Sequence, residues 1–271
     1  MSTQYNKVQK PYDELRKTTI AIIERVNVRE LIFPFVRGAK VLDLACGTGH
    51  LSRYFLKWGA SSVVGADISS AMLDEARALS KQDGLGNDQI RFLEADCSTP
   101  VAYEGGPFDI VSAAWLLNYA ASGKDMVEMY RNIALNLKDG GHFVAVTPPP
   151  TSDPAGFIEN ERRLRPLPTA SGGLFSTVTG TVDDGVEFHL HSDTPAGDLD
   201  FDCYHLRNEF YESAAREGGL KGELVWGVTK VPNGFMDHPE KFGEQSNGGA
   251  GAEELATYSK LPHYGLLLIT K

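Results

Sequence analysis

The stretch Lys40-Val41-Leu42-Asp43-Leu44-Ala45-Cys46-Gly47-Thr48-Gly49 decides the fold. A short apolar run ends in a glycine turn, and beyond it Leu51, Tyr54, Phe55 and Trp58 recur at the spacing of one helix face, with Gly59 as the stop. The unit reads strand, glycine loop, helix. Outward from it the alternation repeats. Residues 62–66 read as a strand and 69–80 as a helix with a serine cap, followed by strands at 90–94 and 108–113. Residues 125–137 form a helix with Met126, Met129, Tyr130, Ile133 and Leu137 on one side, closed by Gly140-Gly141 before a strand over 142–147. Upstream, Leu15, Thr19, Ile22, Ile23 and Val26 predict one amphipathic helix within 12–30. Strands alternating with helices of this length predict an α/β Rossmann-like, doubly wound sheet.

After Thr147-Pro148-Pro149-Pro150 the rhythm changes. Pro and Gly become frequent, and residues 181–188 read as a hairpin around an Asp-Gly turn, so this stretch is expected to be an insertion. A helix over 208–217, stopped by Gly218-Gly219, precedes two apolar runs at 223–228 and 265–270 that would close the sheet. Ser246-Asn247-Gly248-Gly249-Ala250-Gly251 lacks the Gly-Lys-Ser/Thr of a phosphate loop and reads as a connector.

Composition narrows the function. Among 271 residues, 36 Asp and Glu outweigh 26 Lys and Arg, for a formal charge of −10, and the densest basic run, Arg162-Arg163-Leu164-Arg165, follows Glu159 and Glu161. Nucleic acid is a poor partner for such a surface. No apolar run reaches the length of a membrane span, and residues 1–17 have neither a secretory nor a transit pattern. Three cysteines without a paired framework fit a reducing cytoplasm.

Asp43 carries the chemical argument. A carboxylate at a strand end just before the glycines would repel a pyrophosphate but suits a ligand with an ammonium group and no phosphate, such as S-adenosylmethionine (SAM). Asp67 ends the second strand, where a carboxylate can accept both ribose hydroxyls, and Asp96 ends the third, within reach of an adenine amino group. The third glycine or alanine of the dinucleotide fingerprint is replaced by Ser52, which speaks against a nicotinamide-dependent oxidoreductase.

With these motifs in place, the chain resembles the class I SAM-dependent methyltransferases over roughly residues 5–150. Ala45 stands where many members have glycine. The run Ala113-Ala114-Trp115-Leu116-Leu117-Asn118-Tyr119-Ala120, with Asn136-Leu137-Lys138-Asp139-Gly140-Gly141, is similar to a small-molecule branch that contains toxoflavin-biosynthesis-type and fungal secondary-metabolite enzymes. The resemblance implies a seven-stranded sheet in a single methyltransferase domain over 1–271. Its parts would be an N-terminal helical lid (1–35), a SAM-binding core (36–150), a substrate-covering insertion (151–202), and a C-terminal helix with closing strands (203–271). It further implies that Asp43, Ala45, Cys46, Gly47 and Gly49 line the methionine part of SAM. Asp67 would hold the ribose, Ile68 and Met72 flank the adenine, and Asp96 with Cys97 bind its edge. Ala114 and Trp115 would sit near the methyl donor, and Tyr5, Tyr12 and Arg16 would fold over the cofactor as part of the lid.

Methyl transfer from an activated sulfonium needs alignment and water exclusion, with a base only for some nucleophiles, so the acceptor is less legible than the cofactor. Glu187, His189 and His191 alternate with Phe188 and Leu190, which places them on one face of a strand, either as bases facing the acceptor or as the solvated face of an amphipathic hairpin, with no metal expected. Tyr204 and His205 are candidates beside the acceptor. No Asn/Asp-Pro-Pro-Tyr/Phe motif follows the fourth strand, and no acid of the kind a metal-dependent catechol-type enzyme would need there. The expected reaction is methylation of a nitrogen or oxygen of a small molecule in secondary metabolism. A SAM-binding protein without transfer is the rival from another class, since fold alone does not set activity.

Overall fold

The computed structural model describes residues 5, 8–164, 174–235, 237–242 and 252–271. The order of elements is α1 (Gln9–Leu15), α2 (Thr19–Ile32), β1 (Lys40–Leu44), α3 (His50–Lys57), β2 (Ser62–Asp67), α4 (Ser70–Gln82), β3 (Ile90–Glu94), β4 (Phe108–Ala114), α5 (Gly123–Asn136) and β5 (Leu137–Thr147). There follow α6 (Pro154–Leu164), β6 (Leu174–Val182), β7 (Gly185–Thr194), β8 (Gly197–Leu206), α7 (Asn208–Glu217), β9 (Leu224–Val228), α8 (Ala252–Lys260) and β10 (Gly265–Thr270).

The large sheet has seven strands in the order β3-β2-β1-β4-β5-β10-β9. Pairs from β3 through β5 are parallel, whereas β10 runs antiparallel to both β5 and β9. Alternation along each strand feeds two cores. Leu42, Leu44, Val111, Ala113, Phe143 and Leu267 face α5 and α7, while Val41, Val63, Ile110 and Val144 face α3, α4 and the end of α2. Serine and threonine caps set the helix starts: Thr18 Oγ1 accepts from Ala21 N, Ser69 Oγ from Met72 N and Ser122 Oγ from Asp125 N. Strand order reverses between β1 and β4, and the carboxyl ends of these strands form the crevice where open α/β sheets bind ligands.

The insertion is built differently from the sequence expectation. Its hairpin is real, but the two-residue turn is Asp183-Asp184, with Gly185 already paired to Val182. A third strand, β8, completes an antiparallel sheet in the order β6-β7-β8 and runs through Leu206, past the expected boundary at residue 202. Helix α6 precedes this sheet, in a stretch to which the sequence reading assigned no helix. The single helix expected within 12–30 is broken at Arg16-Lys17, because Thr18 turns extended to cap α2. Residues 246–251 lie outside the described residues, as does Arg165 of the basic run. Among the described residues no helix is long and apolar enough to cross a membrane.

The small sheet has two unlike faces. Val186, Phe188, Leu199, Phe201 and Cys203 turn inward and pack with Ile158 of α6 and with Tyr5, Val8, Tyr12 and Leu15 of the N-terminal segment. Asp184 at the hairpin tip accepts from Gly123 N through Oδ2 at 2.7 Å, which pins the insertion to the start of α5.

Candidate functional site

The crevice is shaped by backbone that bends where few residues bend. Ala45 (φ 55°), Gly47 (φ 54°) and Gly49 (φ 68°) all occupy the left-handed region. Glycine does so freely; Ala45 does so at a cost of about 1 kcal/mol. A methyl group on Gly49 would fall 2.8 Å from the Phe92 ring, so this glycine serves close packing, whereas the space above Gly47 is filled by the Tyr12 ring, 3.5 Å from where a Cβ would sit. The turn is held from β2. Asp67 Oδ2 accepts from Gly47 N at 2.8 Å and Oδ1 from Ser69 N at 2.9 Å. Burial raises the Asp67 pKa, against these backbone donors.

Trp115 follows β4 with φ 62°, a strained conformation for a bulky residue. It is held there from two sides: its backbone N donates to Val146 O, and its indole Nε1 donates to Glu24 Oε2 at 2.9 Å. Glu24 Oε1 accepts from Arg16 Nη1 at 2.9 Å, and both partners of this ion pair are buried. Glu24 therefore has both oxygens engaged and ties α1, α2 and the end of β4 together.

Two cavities meet at Trp115. The first, of about 700 Å³, is lined by Ala45 and Gly47 of the turn, by Asp67, Ile68 and Met72 beyond β2, by Cys97 after β3, and by Ala114, Trp115 and Leu116 at the end of β4. The second, of about 620 Å³, lies between the N-terminal segment and the inner face of the small sheet, with Leu15, Arg16, Ile20, Ala21, Glu24, Leu190, Phe201, Cys203 and His263 in its wall. Tyr5, Tyr12, Trp115 and Tyr119 border both. The Tyr5 ring stacks on Phe201, 4.8 Å between centroids, and its hydroxyl meets that of Tyr119, so the N-terminal segment roofs the junction. Asn132 and Asn136 of α5 position the loop carrying Cys97: the Asn132 side chain bonds Cys97 O and Val101 N, and that of Asn136 bonds Val101 O and Tyr103 N.

Residues 41–141 match the model of a methyltransferase domain family. Over 90% of its length the chain shares the fold of a SAM-dependent methyltransferase from Mesorhizobium loti, with TM-score 0.57, 20% identity and 96% of that structure covered. The CcbJ methyltransferase from Streptomyces caelestis gives TM-score 0.59 at 17% identity, over 99% of this chain and 97% of that one. The fold is that of the class I SAM-dependent methyltransferases. In sequence, the chain is similar to a demethylmenaquinone methyltransferase of Thermus thermophilus, with 38% identity over 141 residues, 51% of this chain and 60% of that relative. The chain thus spans less than two thirds of the length of that curated relative.

Within the methyltransferase fold, ten of the residues read as lining or roofing the cofactor border the first cavity: Tyr5, Tyr12, Ala45, Gly47, Asp67, Ile68, Met72, Cys97, Ala114 and Trp115. The others lie elsewhere. Asp43 is buried under the turn, where Ser52 Oγ donates to its Oδ2 at 2.5 Å; burial raises its pKa to about 6 despite the serine bonds and nearby Arg16. It supports the turn and does not line the cavity. Cys46 turns its thiol toward Gly65, behind the loop, where burial pushes the pKa well up. Gly49 packs on Phe92. Asp96 bends back to accept from Ser98 N and Oγ, a local turn that draws the carboxylate from the first cavity's lining. Arg16 lines the second cavity instead of the first.

The small sheet's geometry places the four candidate acid-base residues outside the lining of both cavities. His189 and His191 sit on its outer face, paired with Asp202 and Asp200 and with Asp200 and Asp193 respectively, and line neither cavity. These hydrogen bonds raise both histidine pKa values. Tyr204 shares that outer face, opposite Glu187. His205 points inward but is buried, with a Nε2 hydrogen bond of 2.9 Å to Pro149 O, and desolvation lowers its pKa to about 4. It lines a third cavity, of about 410 Å³, beside Phe157 and Glu161. Sequence reasoning missed Glu24 and His263, because the helix pattern marks Glu24 only as a polar position and nothing local marks a residue in a connecting segment.

Proposed function

We propose that this protein is a SAM-dependent methyltransferase acting on a nitrogen or oxygen of a small molecule, in secondary metabolism. The observation that carries this reading is the pair of cavities joined at Trp115, one beside the glycine turn and Asp67, the other walled by the inserted sheet. The fit to SAM rests on the chain's own residues. Asp67, on the rim of the first cavity, suits a ribose, and Ile68 and Met72 give apolar flanks for an adenine. When bound, SAM supplies an activated methyl group, and the protein aligns it with the acceptor and excludes water through the roof of Tyr5 and Tyr12.

A small acceptor is favoured by enclosure. The second cavity lies under the N-terminal segment and the small sheet, with a mostly apolar wall. The net charge of −10 argues against a nucleic-acid acceptor. The test is incubation with methyl-labelled SAM and, in parallel, a library of small amines, phenols and hydroxyl compounds, total tRNA and a protein lysate. Label in small molecules alone is expected; label in tRNA or protein alone contradicts the reading. Binding of SAM with no transfer to any acceptor would favour the non-methylating rival.

A further inference from the structure

Asn118 lies in the turn that follows β4, 3% exposed, and forms part of the wall of the second cavity. Its Nδ2 donates to Cys203 Sγ at 3.2 Å, while its Oδ1 is buried with no hydrogen-bond partner among the described residues. An amide oxygen left unsatisfied in a protein interior is costly, so in a residue of a cavity wall it calls for a donor from outside the chain. We infer that Asn118 is the specificity-determining residue of the acceptor site and accepts a hydrogen bond from the N–H of an uncharged, ring-sized amine. This rests on the methyltransferase reading and adds the substrate class to it.

The chemistry of the wall selects nitrogen. An oxygen nucleophile, unless already ionised, must lose its proton to a base, and the wall offers little. Both Glu24 oxygens already accept hydrogen bonds, from Arg16 and Trp115. Burial holds Tyr5 and Tyr12 in their neutral form and pushes the Cys203 thiol up to about 12. His263 Nδ1 lies 3.3 Å from Glu161 Oε1, in a pair that fastens α6 to the segment before β10. An uncharged amine needs no base. It donates its N–H to Asn118 Oδ1 and keeps its lone pair for the methyl carbon. That lone pair forms the new C–N bond while the electrons of the broken S–C bond pass to sulfur. The product leaves as an ammonium ion that gives its proton to water. Leu190, Phe201, Ile20 and Ala21 supply an apolar wall for the rest of the acceptor.

The test is calorimetric titration of the protein saturated with S-adenosylhomocysteine, using three ring-matched probes: indoline, which presents an N–H, and N-methylindoline and indane, which do not. Indoline is expected to bind at least five-fold more tightly than either. Asn118→Leu is expected to erase that preference while retaining S-adenosylhomocysteine binding, and Asn118→Asp, which keeps an acceptor oxygen, to preserve it. Equal affinities, a preference that survives Asn118→Leu, or no indoline binding to the saturated protein would overturn the assignment. Failure of wild-type protein to bind S-adenosylhomocysteine would instead sink the methyltransferase reading.

Discussion

Asp67 holds the site together at the scale of single residues. It braces Gly47 and Ser69 through both carboxylate oxygens and borders the first cavity, so Asp67→Ala is expected to weaken SAM binding by at least ten-fold, measured by titration calorimetry. Loss of two hydrogen bonds to a charged acceptor, at about 1.5–3 kcal/mol each, is enough for that effect. Wild-type affinity in the variant would refute the ribose assignment. Ala45 gives a prediction of opposite sign. Its φ of 55° is one that glycine adopts without strain, so Ala45→Gly should stabilise the fold by about 0.5–1 kcal/mol, seen as a melting temperature higher by roughly 2 °C. Gly65 shows the converse, since a Cβ there would lie 2.7 Å from Phe92 and 2.9 Å from Cys46 Sγ. Gly65→Ala should cost about 1–3 kcal/mol in urea denaturation. Of these features, the positions of Gly47 and Asp67 at the strand ends were legible in the sequence, and the close packing at Gly65 was not. Nor were the inward turn of Asp43 and the backward turn of Asp96, because each is decided by a hydroxyl, Ser52 or Ser98, that a strand-end pattern does not reveal.

Between elements, the buried link of Arg16, Glu24 and Trp115 joins α1, α2 and the end of β4. Glu24→Gln would leave the Arg16 guanidinium buried without its counter-charge, and a loss of about 3–5 kcal/mol in urea denaturation is expected. The outer face of the small sheet yields a pH prediction. Hydrogen bonds to Asp202 and Asp200 raise His189, and hydrogen bonds to Asp200 and Asp193 raise His191. A raised folded pKa means that their contribution is full below the unfolded value, near 6.5, and is lost as pH rises through the folded value. Asp200, lowered by the same contacts, contributes above its unfolded value near 3.8 and loses its share as pH falls. The double variant His189→Gln, His191→Gln should therefore melt below wild type at pH 5, match it at pH 8.5, and retain methyl transfer. Lost transfer with SAM binding intact would restore the histidines as catalytic groups. Period-two alternation placed Glu187, His189 and His191 on a common face, as found. Which face met the cavity depended on the third strand, β8, whose inward Phe201 and Cys203 alternate with outward Asp200 and Asp202.

The whole molecule is a nucleotide-type sheet with an inserted three-stranded sheet that walls a second cavity. The sheet was legible because its strands and helices are local in sequence and each carries its own stop or cap, from Gly59 to Ser69. The second cavity was not, since its wall gathers Arg16, Glu24, Asn118, Phe201 and His263 from segments far apart in the chain. Its existence follows from topology, which returns the insertion after β5 against the turn that follows β4, where Asn118 meets Cys203. Titration calorimetry of the full chain with SAM, S-adenosylhomocysteine and NADH tests the central claim most directly. Micromolar binding of SAM and S-adenosylhomocysteine, with no NADH binding, is the predicted result. NADH binding, or no binding of either sulfur compound, would contradict the account.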